Sequence, residues 1–211
     1  MKTYRITSLG EQEICLTGRG SDSNWKEANL LSDFLTPWDG EAATNLEFRA
    51  INTHEHIYFL FKVKDSNIYI DQKDNSITSI NNSERVELFF RTDDKLQPYY
   101  CLEIDPTPRI MSFKAIYYRQ FDFNWEWPAD GLQVKSYIGD EGYSVEICIS
   151  KASLQSLDLL TNGKIETGIY RANFKQNPAG TLKTIWTTWV DPKTKTPDFH
   201  LSSSFGILEC S

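Results

Sequence analysis

The sequence predicts an all-β protein built as a sandwich or barrel of antiparallel strands, with one short helix. Apolar residues recur at every second position in short runs, and each run ends at turn-forming residues such as Asp, Asn, Pro and Gly. Alternation of this kind places one row of side chains in a core and the other row on the opposite face. Many short strands without regular helices between them are typical of an antiparallel sheet protein.

Four runs show the alternation most clearly, and weaker runs predict the remaining strands. The clear apolar rows are Ile57/Phe59/Phe61/Val63, Val86/Leu88/Phe90, Tyr100/Leu102/Ile104 and Tyr143/Val145/Ile147/Ile149. Further strands are predicted at 4–8, 12–17, 44–52, 109–117, 132–138, 166–174, 182–190 and 204–209. Residues 150–157 are predicted to be helical with Ser150 as the N-cap, and residues 24–34 to hold one more helical turn. No linker or repeat interrupts the pattern, so residues 1–211 are expected to form a single domain.

Composition and charge limit the partners that the chain could have. It has 211 residues with a formal net charge of −7 and 13% aromatic residues. No basic stripe is present, which argues against nucleic acid and against an anionic membrane surface, and no apolar run approaches a membrane span. We therefore expect neutral or cationic ligands. The N-terminus has no apolar signal segment, so the chain is either cytoplasmic or secreted or periplasmic with its signal removed.

The four cysteines carry no recognisable chemistry. Cys15, Cys101, Cys148 and Cys210 are widely spaced and form no C-x-x-C pair, so the usual zinc and thioredoxin signatures are missing. Because Cys101 and Cys148 lie within alternating apolar runs, we expect them to be small buried hydrophobic residues.

Several predicted strands carry charged residues on the face opposite their apolar row. These residues are Glu47, Arg49, Arg85, Glu87, Glu103 and Glu146. If the strands adjoin, the charged groups form one polar patch, and carboxylates and guanidinium groups bind sugar hydroxyls well because each hydroxyl both donates and accepts. A solvated outer face with cross-strand ion pairs would give the same pattern.

Two tryptophans three residues apart provide a candidate stacking surface. Trp186 and Trp189 lie in a segment rich in β-formers, and positions an odd number apart point to opposite faces of a strand. One ring is therefore expected inside and the other outside, where a flat indole suits the C–H face of a sugar. The run FDFNWEWP at 121–128 is a second aromatic segment, which could either stack against a ligand or cap the core.

The order of the motifs resembles that of family 9 carbohydrate-binding modules and their single-domain bacterial relatives. The matching segments are WKEA at 25–28, FLTPW at 34–38, VKDSNI at 63–68, ERVELFF at 84–90, YYCLEID at 99–105, GYSVE at 142–146, WTTWVDP at 186–192 and SFGIL at 204–208. The resemblance spans nearly the whole chain. It implies an immunoglobulin-like antiparallel β-sandwich that binds oligo- or polysaccharide without catalysis, in many members at chain ends, and in some members with structural calcium.

The resemblance also implies which residues form the site. The stacking tryptophan of the family falls on Trp189, the sugar-binding glutamates on Glu87 and Glu103, and the polar strand before the tryptophan on Arg171 and Asn173. Arg85 and His200 complete the expected ligand-binding set, and Asp65 is either a calcium ligand or a plain turn-forming aspartate. Family members enclose the sugar with a second tryptophan, but residues 80–83 read INNS here. The second wall is therefore missing unless Trp125 or Trp127 supplies it from another loop.

Two other functions remain open from the sequence. A haem-binding domain of the same broad fold group would use Met111, the only internal methionine, with a histidine as axial ligands. A structural or adaptor module with a decayed sugar site would explain the missing tryptophan. No motif singles out the carboxylate pair that a glycosidase needs, so we expect no enzymatic activity.

Overall fold

The computed structural model describes residues 1–40, 45–177 and 179–210, and it confirms the all-β fold class. Twelve strands and two short α-helices are present in this part of the chain. The strands are β1 (Thr3–Gly10), β2 (Leu46–Thr53), β3 (His56–Lys64), β4 (Arg85–Arg91), β5 (Tyr99–Ile104), β6 (Ile110–Ile116), β7 (Gln120–Asp122), β8 (Leu132–Gly139), β9 (Gly142–Ser150), β10 (Lys164–Gln176), β11 (Leu182–Thr188) and β12 (Gly206–Cys210). The helices are α1 (Ile77–Asn81) and α2 (Lys151–Ser156).

The strands form two sheets that share β1. The first sheet has the order β7-β6-β5-β4-β10-β12-β1, with β11 paired to β10 beside β12. The second sheet has the order β1-β2-β3-β9-β8. The first half of β1 pairs with β12 and its second half pairs with β2, both in parallel, whereas the other strand pairs are antiparallel. The antiparallel prediction is thus correct apart from the strand that connects the two sheets.

The predicted apolar rows meet between the two sheets. The rows at 86–90 and 100–104 of the first sheet pack against the rows at 57–63 and 143–149 of the second sheet in one continuous core. Every member of these four rows is at most 5% exposed. The sandwich therefore follows from the period-two pattern, because the alternating apolar rows of the two sheets bury each other.

The N-terminal segment covers the outer face of the second sheet instead of forming the strand predicted at 12–17. Ile14 and Leu16 pack beside Trp25 against outward residues of β3 and β9. The indole Nε1 of Trp25 donates to Oε1 of Glu146 at 2.7 Å, and the backbone N–H of Thr17 donates to Oε2 of the same carboxylate. The backbone N–H of Cys15 donates to Asp22 and that of Thr17 to Glu146, so these donors bind side chains and not a neighbouring strand, and the segment is not part of a sheet.

The predicted helix is present, and a second one was not predicted. Helix α2 begins after Ser150, whose hydroxyl accepts a hydrogen bond from the backbone N–H of Ser153, as expected for an N-cap. Helix α1 is capped in the same way by Ser76, and it lies beside the N-terminal end of β4. In the predicted segment 24–34, the helical turn is a short 3-10 turn at Ser23–Lys26. None of the described helices is long and apolar enough to cross a membrane.

The charged residues predicted on outer faces divide between the two sheets. Arg85, Glu87 and Glu103 lie on adjacent strands of the first sheet, so these three form a common patch. Glu47 and Glu146 lie on strands of the second sheet. The prediction of a single patch is therefore wrong for the whole set and correct for its three members on β4 and β5.

Candidate functional site

The outer face of the first sheet carries a floor of charged and aromatic residues. Strands β10, β4, β5 and β6 are neighbours, and their register aligns Tyr170, Glu87, Glu103 and Met111 in one row across the face. The outward position of Glu87 is fixed by the burial of Val86 and Leu88 on the other face, since successive residues alternate. This row is the base on which the rest of the site is assembled.

Arg85 lies between the two glutamates of the floor. Its Nε donates to Oε2 of Glu103 at 2.5 Å and is 3.0 Å from Oε1 of Glu87. Nε carries a single hydrogen, which is directed to Glu103, and Oε1 of Glu87 receives no hydrogen bond. Nη1 of the same guanidinium donates a hydrogen bond to the backbone oxygen of Asn81 in α1, at 2.8 Å. Two carboxylates thus share one cation at a site that is almost closed to water.

Burial and mutual repulsion change the acidity of this pair. Burial raises the pKa of Glu87 to about 8, and the nearby negative charge of Glu103 adds to the effect, while Arg85 opposes it. Burial also raises the pKa of Glu103, again against the lowering effect of Arg85. Since one guanidinium cannot compensate two carboxylates, Glu87 is the group that retains a proton most readily.

Trp186 forms one aromatic wall beside this floor. It lies on β11 opposite Ala172, the small residue of β10 that is in turn paired with Arg85. The indole leans over β10, so that the guanidinium carbon of Arg85 is 5.5 Å from the ring centroid. Phe199 supports the indole edge-on at 5.5 Å. The ring is partly exposed and rests on fixed neighbours, as a stacking surface requires.

A second aromatic wall comes from the strand at the edge of the sheet. Phe121 on β7 and Phe123 just after it pack on Phe113 of β6, with ring centroids 5.2 Å and 4.9 Å away. Phe123 is 43% exposed. Because β4, β5 and β6 lie between β10 and β7 in the sheet, Trp186 and the two phenylalanines stand on opposite sides of the charged floor.

His200 closes one part of this site as a neutral group. Its Nδ1 shares a hydrogen bond with the hydroxyl of Tyr99 at 3.0 Å, and its ring lies 5.0 Å from that of Phe121. Burial first and the positive charge of Arg119 second lower the pKa of His200 to about 4, against the opposing negative charge of Asp198. The imidazole is therefore a neutral hydrogen-bonding group at neutral pH, and it lines the same cleft as Arg85, Glu87 and Glu103.

These residues enclose a cleft of about 390 Å³, which we call the aromatic cleft. Its lining comprises Ile77, Thr78, Asn81, Arg85, Glu87, Phe89, Glu103, Met111, Phe113, Arg119, Phe121, Phe123, Trp186, Phe199 and His200. Four of the nine ligand-binding residues expected from the sequence belong to this set: Arg85, Glu87, Glu103 and His200. The cleft combines fixed aromatic rings with buried charged groups, a combination suited to a small amphipathic ligand.

Trp189 does not contribute to the aromatic cleft. Its ring is 1% exposed and lies in the core between the sheets, and its backbone N–H donates to the carbonyl of Ile169. The expectation that this ring faces solvent is wrong, although the prediction that Trp186 and Trp189 occupy opposite sides of the sheet is correct. On β11 the ring of Trp186 faces outward. Trp186 thus occupies the outer side that was expected for Trp189, and Trp189 occupies the inner side.

Arg171 and Asn173 also point away from the aromatic cleft. They share the inward face of β10 with Ile169, since the spacing is two residues. At the end of the sandwich, Nη2 of Arg171 donates to Oδ2 of Asp65 at 2.7 Å and also binds Glu84. Asn173 donates to the same oxygen of Asp65. These two residues are therefore parts of a buried ion-pair network and not of the cleft.

Asp65 is the centre of that network. Nζ of Lys175 lies 2.9 Å from Oδ2, in addition to the contacts from Arg171 and Asn173. Burial opposes ionisation of Asp65, but these hydrogen bonds outweigh it and lower the pKa of the carboxyl. Its expected role as a calcium ligand does not match this arrangement, because side-chain cations already occupy the carboxylate. In the described part of the chain, no group of three or more His, Cys, Asp or Glu side chains is arranged to hold a metal ion.

Trp125 and Trp127 do not form the second wall. Trp127 is buried edge-on against Phe90 in the core between the sheets, and its Nε1 donates to the hydroxyl of Ser153. Trp125 packs on Tyr100 from the same side. The loop that carries them was correctly singled out, but its phenylalanines, and not its tryptophans, reach the cleft. Met111, the alternative haem ligand, is a buried floor residue next to Glu103.

A larger hollow of about 470 Å³ lies on the second sheet, and we consider it a weaker candidate. Its exposed aromatic residue is Tyr137, and one face of that ring is covered by the guanidinium of Arg19 at 3.7 Å. The other charged groups around it, such as Glu47 and Lys62, come from exposed or half-exposed positions. It lacks the pairing of fixed aromatic rings with buried carboxylates that defines the aromatic cleft.

Comparisons with known proteins agree with this description of the fold. The chain matches the family described as Carbohydrate family 9 binding domain-like over residues 16–211. No curated protein matches it. Among solved structures, a protein of Bacteroides uniformis ATCC 8492 proposed to bind carbohydrate is 14% identical, with a TM-score of 0.72 over 100% of this chain and 99% of that one.

Two further solved structures are of one family 9 carbohydrate-binding module from Caldicellulosiruptor kristjanssonii. The complex with glucose is 14% identical with a TM-score of 0.62, over 100% of this chain and 96% of that one. The complex with cellotriose has the same identity and TM-score, over 99% of this chain and 93% of that one. At this level of identity the likeness shows a shared fold.

Proposed function

The chain belongs to the Carbohydrate family 9 binding domain-like family, and from that premise we propose that it binds carbohydrate, without catalysis, in the aromatic cleft. The observation that carries the proposal is the partly exposed indole of Trp186 beside the buried Arg85, Glu87 and Glu103. Family membership supports a sugar as the ligand, and this arrangement supports the place where it binds.

The chemistry of the aromatic cleft suits a pyranose ring. A sugar presents an apolar C–H face and a rim of hydroxyls, so it needs a flat aromatic surface next to groups that both donate and accept hydrogen bonds. Trp186 and Phe123 provide the aromatic surfaces on either side of the floor. Glu87, Glu103 and the guanidinium of Arg85 provide the polar groups, fixed by their mutual contacts before the ligand arrives.

The solved relatives support a glucan as the first ligand to test, because the module from Caldicellulosiruptor kristjanssonii is described in complex with glucose and with cellotriose. We expect modest affinity, since the cleft is small and sugar hydroxyls must lose their water on binding.

The experiment is calorimetric titration of the protein with glucose, cellotriose and xylotriose. We expect binding to at least one of these sugars and a loss of about tenfold or more in Trp186→Ala, because the stacking surface is removed. Phe123→Ala should lower the affinity for the same sugar by a smaller factor, since its ring contributes only one side of the cleft.

The matched control is Tyr137→Ala, which removes a 38% exposed aromatic ring from the other sheet. The affinity of Tyr137→Ala for the sugar should equal that of the unmodified protein. Equal affinity in Trp186→Ala would place the sugar elsewhere, and failure of all three sugars and of a wider glycan panel would favour the structural or adaptor function.

A further inference from the structure

Two exposed tyrosines lie immediately outside the aromatic cleft, in the turn between β6 and β7. Tyr117 and Tyr118 are each 48% exposed, and their ring centroids are 5.3 Å apart. The next residue, Arg119, lines the cleft. Its guanidinium carbon is 5.8 Å from the ring centroid of Tyr118 and 5.7 Å from that of Phe121. Arg119 therefore lies next to both the ring of Phe121 in the cleft wall and the ring of Tyr118 outside it.

The tyrosine nearest to the cleft is held in place through its hydroxyl. Tyr118 donates to Oδ2 of Asp198 at 2.6 Å, and Arg119 contacts Oδ1 of the same carboxylate at 3.2 Å. The backbone N–H of His200 donates to Oδ1 as well. One carboxylate thus ties the turn to the loop that carries a cleft residue. A ring fixed at both ends loses little further freedom when a ligand stacks on it.

The backbone of the turn brings the guanidinium to this position. Arg119 has φ of 57°, in the left-handed region that residues other than glycine rarely adopt. Glycine would relieve that strain, but it would remove the side chain that contacts both Asp198 and the cleft. Strain of this kind accumulates where a side chain is needed at a defined place.

We propose that Tyr118 and Arg119 form a second subsite, which holds the next pyranose of an oligosaccharide whose first unit occupies the aromatic cleft. This inference rests on the proposed function. The exposed ring of Tyr118 offers a stacking face, and the guanidinium of Arg119 offers donors to the hydroxyls of the second sugar. The preferred ligand is accordingly an oligosaccharide of at least two linked units, which binds more tightly than a free monosaccharide.

The test measures how affinity depends on ligand length. Glucose and cellotriose are titrated into the unmodified protein, Tyr118→Ala and Tyr118→Phe. We expect the unmodified protein to bind cellotriose at least about fivefold more tightly than glucose, which corresponds to one stacked ring of about 1 kcal/mol. In Tyr118→Ala that ratio should fall towards one. Tyr118→Phe keeps the ring and should keep most of the ratio.

Controls separate this inference from the proposed function. Tyr137→Ala removes an exposed tyrosine from the other sheet and should leave the length dependence unchanged, and melting temperatures verify that each variant is folded. An unaltered ratio in Tyr118→Ala, or a ratio lost equally in Tyr118→Phe, would overturn the stacking subsite. In both cases glucose would still bind and still depend on Trp186. If neither sugar binds at all, the proposed function itself fails.

Discussion

Glu87 should contribute a loss of stability that grows between about pH 4.5 and pH 8, and Glu87→Gln should remove that contribution. The pKa of this carboxyl is raised from 4.5 to about 8, by burial first and by Glu103 second. Below pH 4.5 the group is neutral in both the folded and the unfolded chain. Above pH 4.5 the unfolded chain releases the proton while the folded chain retains it, so rising pH favours unfolding until the folded carboxyl ionises as well.

The magnitude follows from the difference between the two pKa values. Each pH unit in this interval costs about 1.4 kcal/mol, so the full interval costs at most about 5 kcal/mol. Glu103 titrates beside Glu87 and shares Arg85, so part of this free energy belongs to the pair. Glutamine resembles the protonated carboxyl and cannot ionise. We therefore expect Glu87→Gln to have nearly the stability of the unmodified protein at pH 4.5 and to exceed it by a few kcal/mol at pH 8.5.

The assay is urea denaturation at a series of pH values for the unmodified protein, Glu87→Gln and Glu126→Gln. Glu126 is exposed, so its replacement controls for the loss of one negative charge without loss of a buried one. The informative quantity is the difference in the free energy of unfolding between each variant and the unmodified protein. A difference for Glu87→Gln that does not change with pH, or that decreases as the pH rises, would refute the reasoning.

Four further substitutions test the assignment of residues to the core, the cleft and the buried polar contacts. Trp189→Ala should cost about 3–5 kcal/mol of unfolding free energy, whereas Trp186→Ala, at a partly exposed position, should cost clearly less; urea denaturation checks both. Arg171→Met should destabilise the protein by about 3–5 kcal/mol, because the buried carboxylate of Glu84 loses its cation and Asp65 keeps only Lys175; a decrease in the free energy of unfolding below about 1 kcal/mol would contradict that. Trp25→Phe should cost about 1–3 kcal/mol, because Glu146 loses a buried hydrogen bond; unchanged stability would argue against this contact.

The sequence predicts the polar floor of the cleft well because β4 has one apolar face and one charged face. Val86 and Leu88 can only face the core, so Arg85 and Glu87 must point outward. The same argument on β5 places Glu103 beside them. Where the two faces of a strand differ this much in polarity, alternation fixes the direction of each side chain without any knowledge of the tertiary structure.

The same reasoning fails on β10 because neither face of that strand is uniformly apolar. Ile169 faces the core between the sheets, while Tyr170 and Phe174 pack on the outer face, so apolar residues occupy both parities. Arg171 and Asn173 could then point either way from the sequence alone. The direction of the side chains on the neighbouring strand β11 is equally undetermined by the sequence. The sequence therefore predicts correctly that Trp186 and Trp189 lie on opposite sides of the sheet, but it does not predict that Trp186 is the outward ring.

Alternation also ends where a strand ends, and the aromatic loop at 121–128 depends on that limit. Phe121 and Phe123 lie at and just beyond β7, on the outer face. Trp125 and Trp127 have the same parity, yet they pack on the inner face, because the chain passes around the edge of the sheet between them. The phenylalanines of this eight-residue run thus form one wall of the cleft, and its tryptophans pack in the core. Substitutions at the phenylalanines should therefore affect ligand binding first, and substitutions at the tryptophans should affect folding first, a division that no pattern within the loop could have revealed.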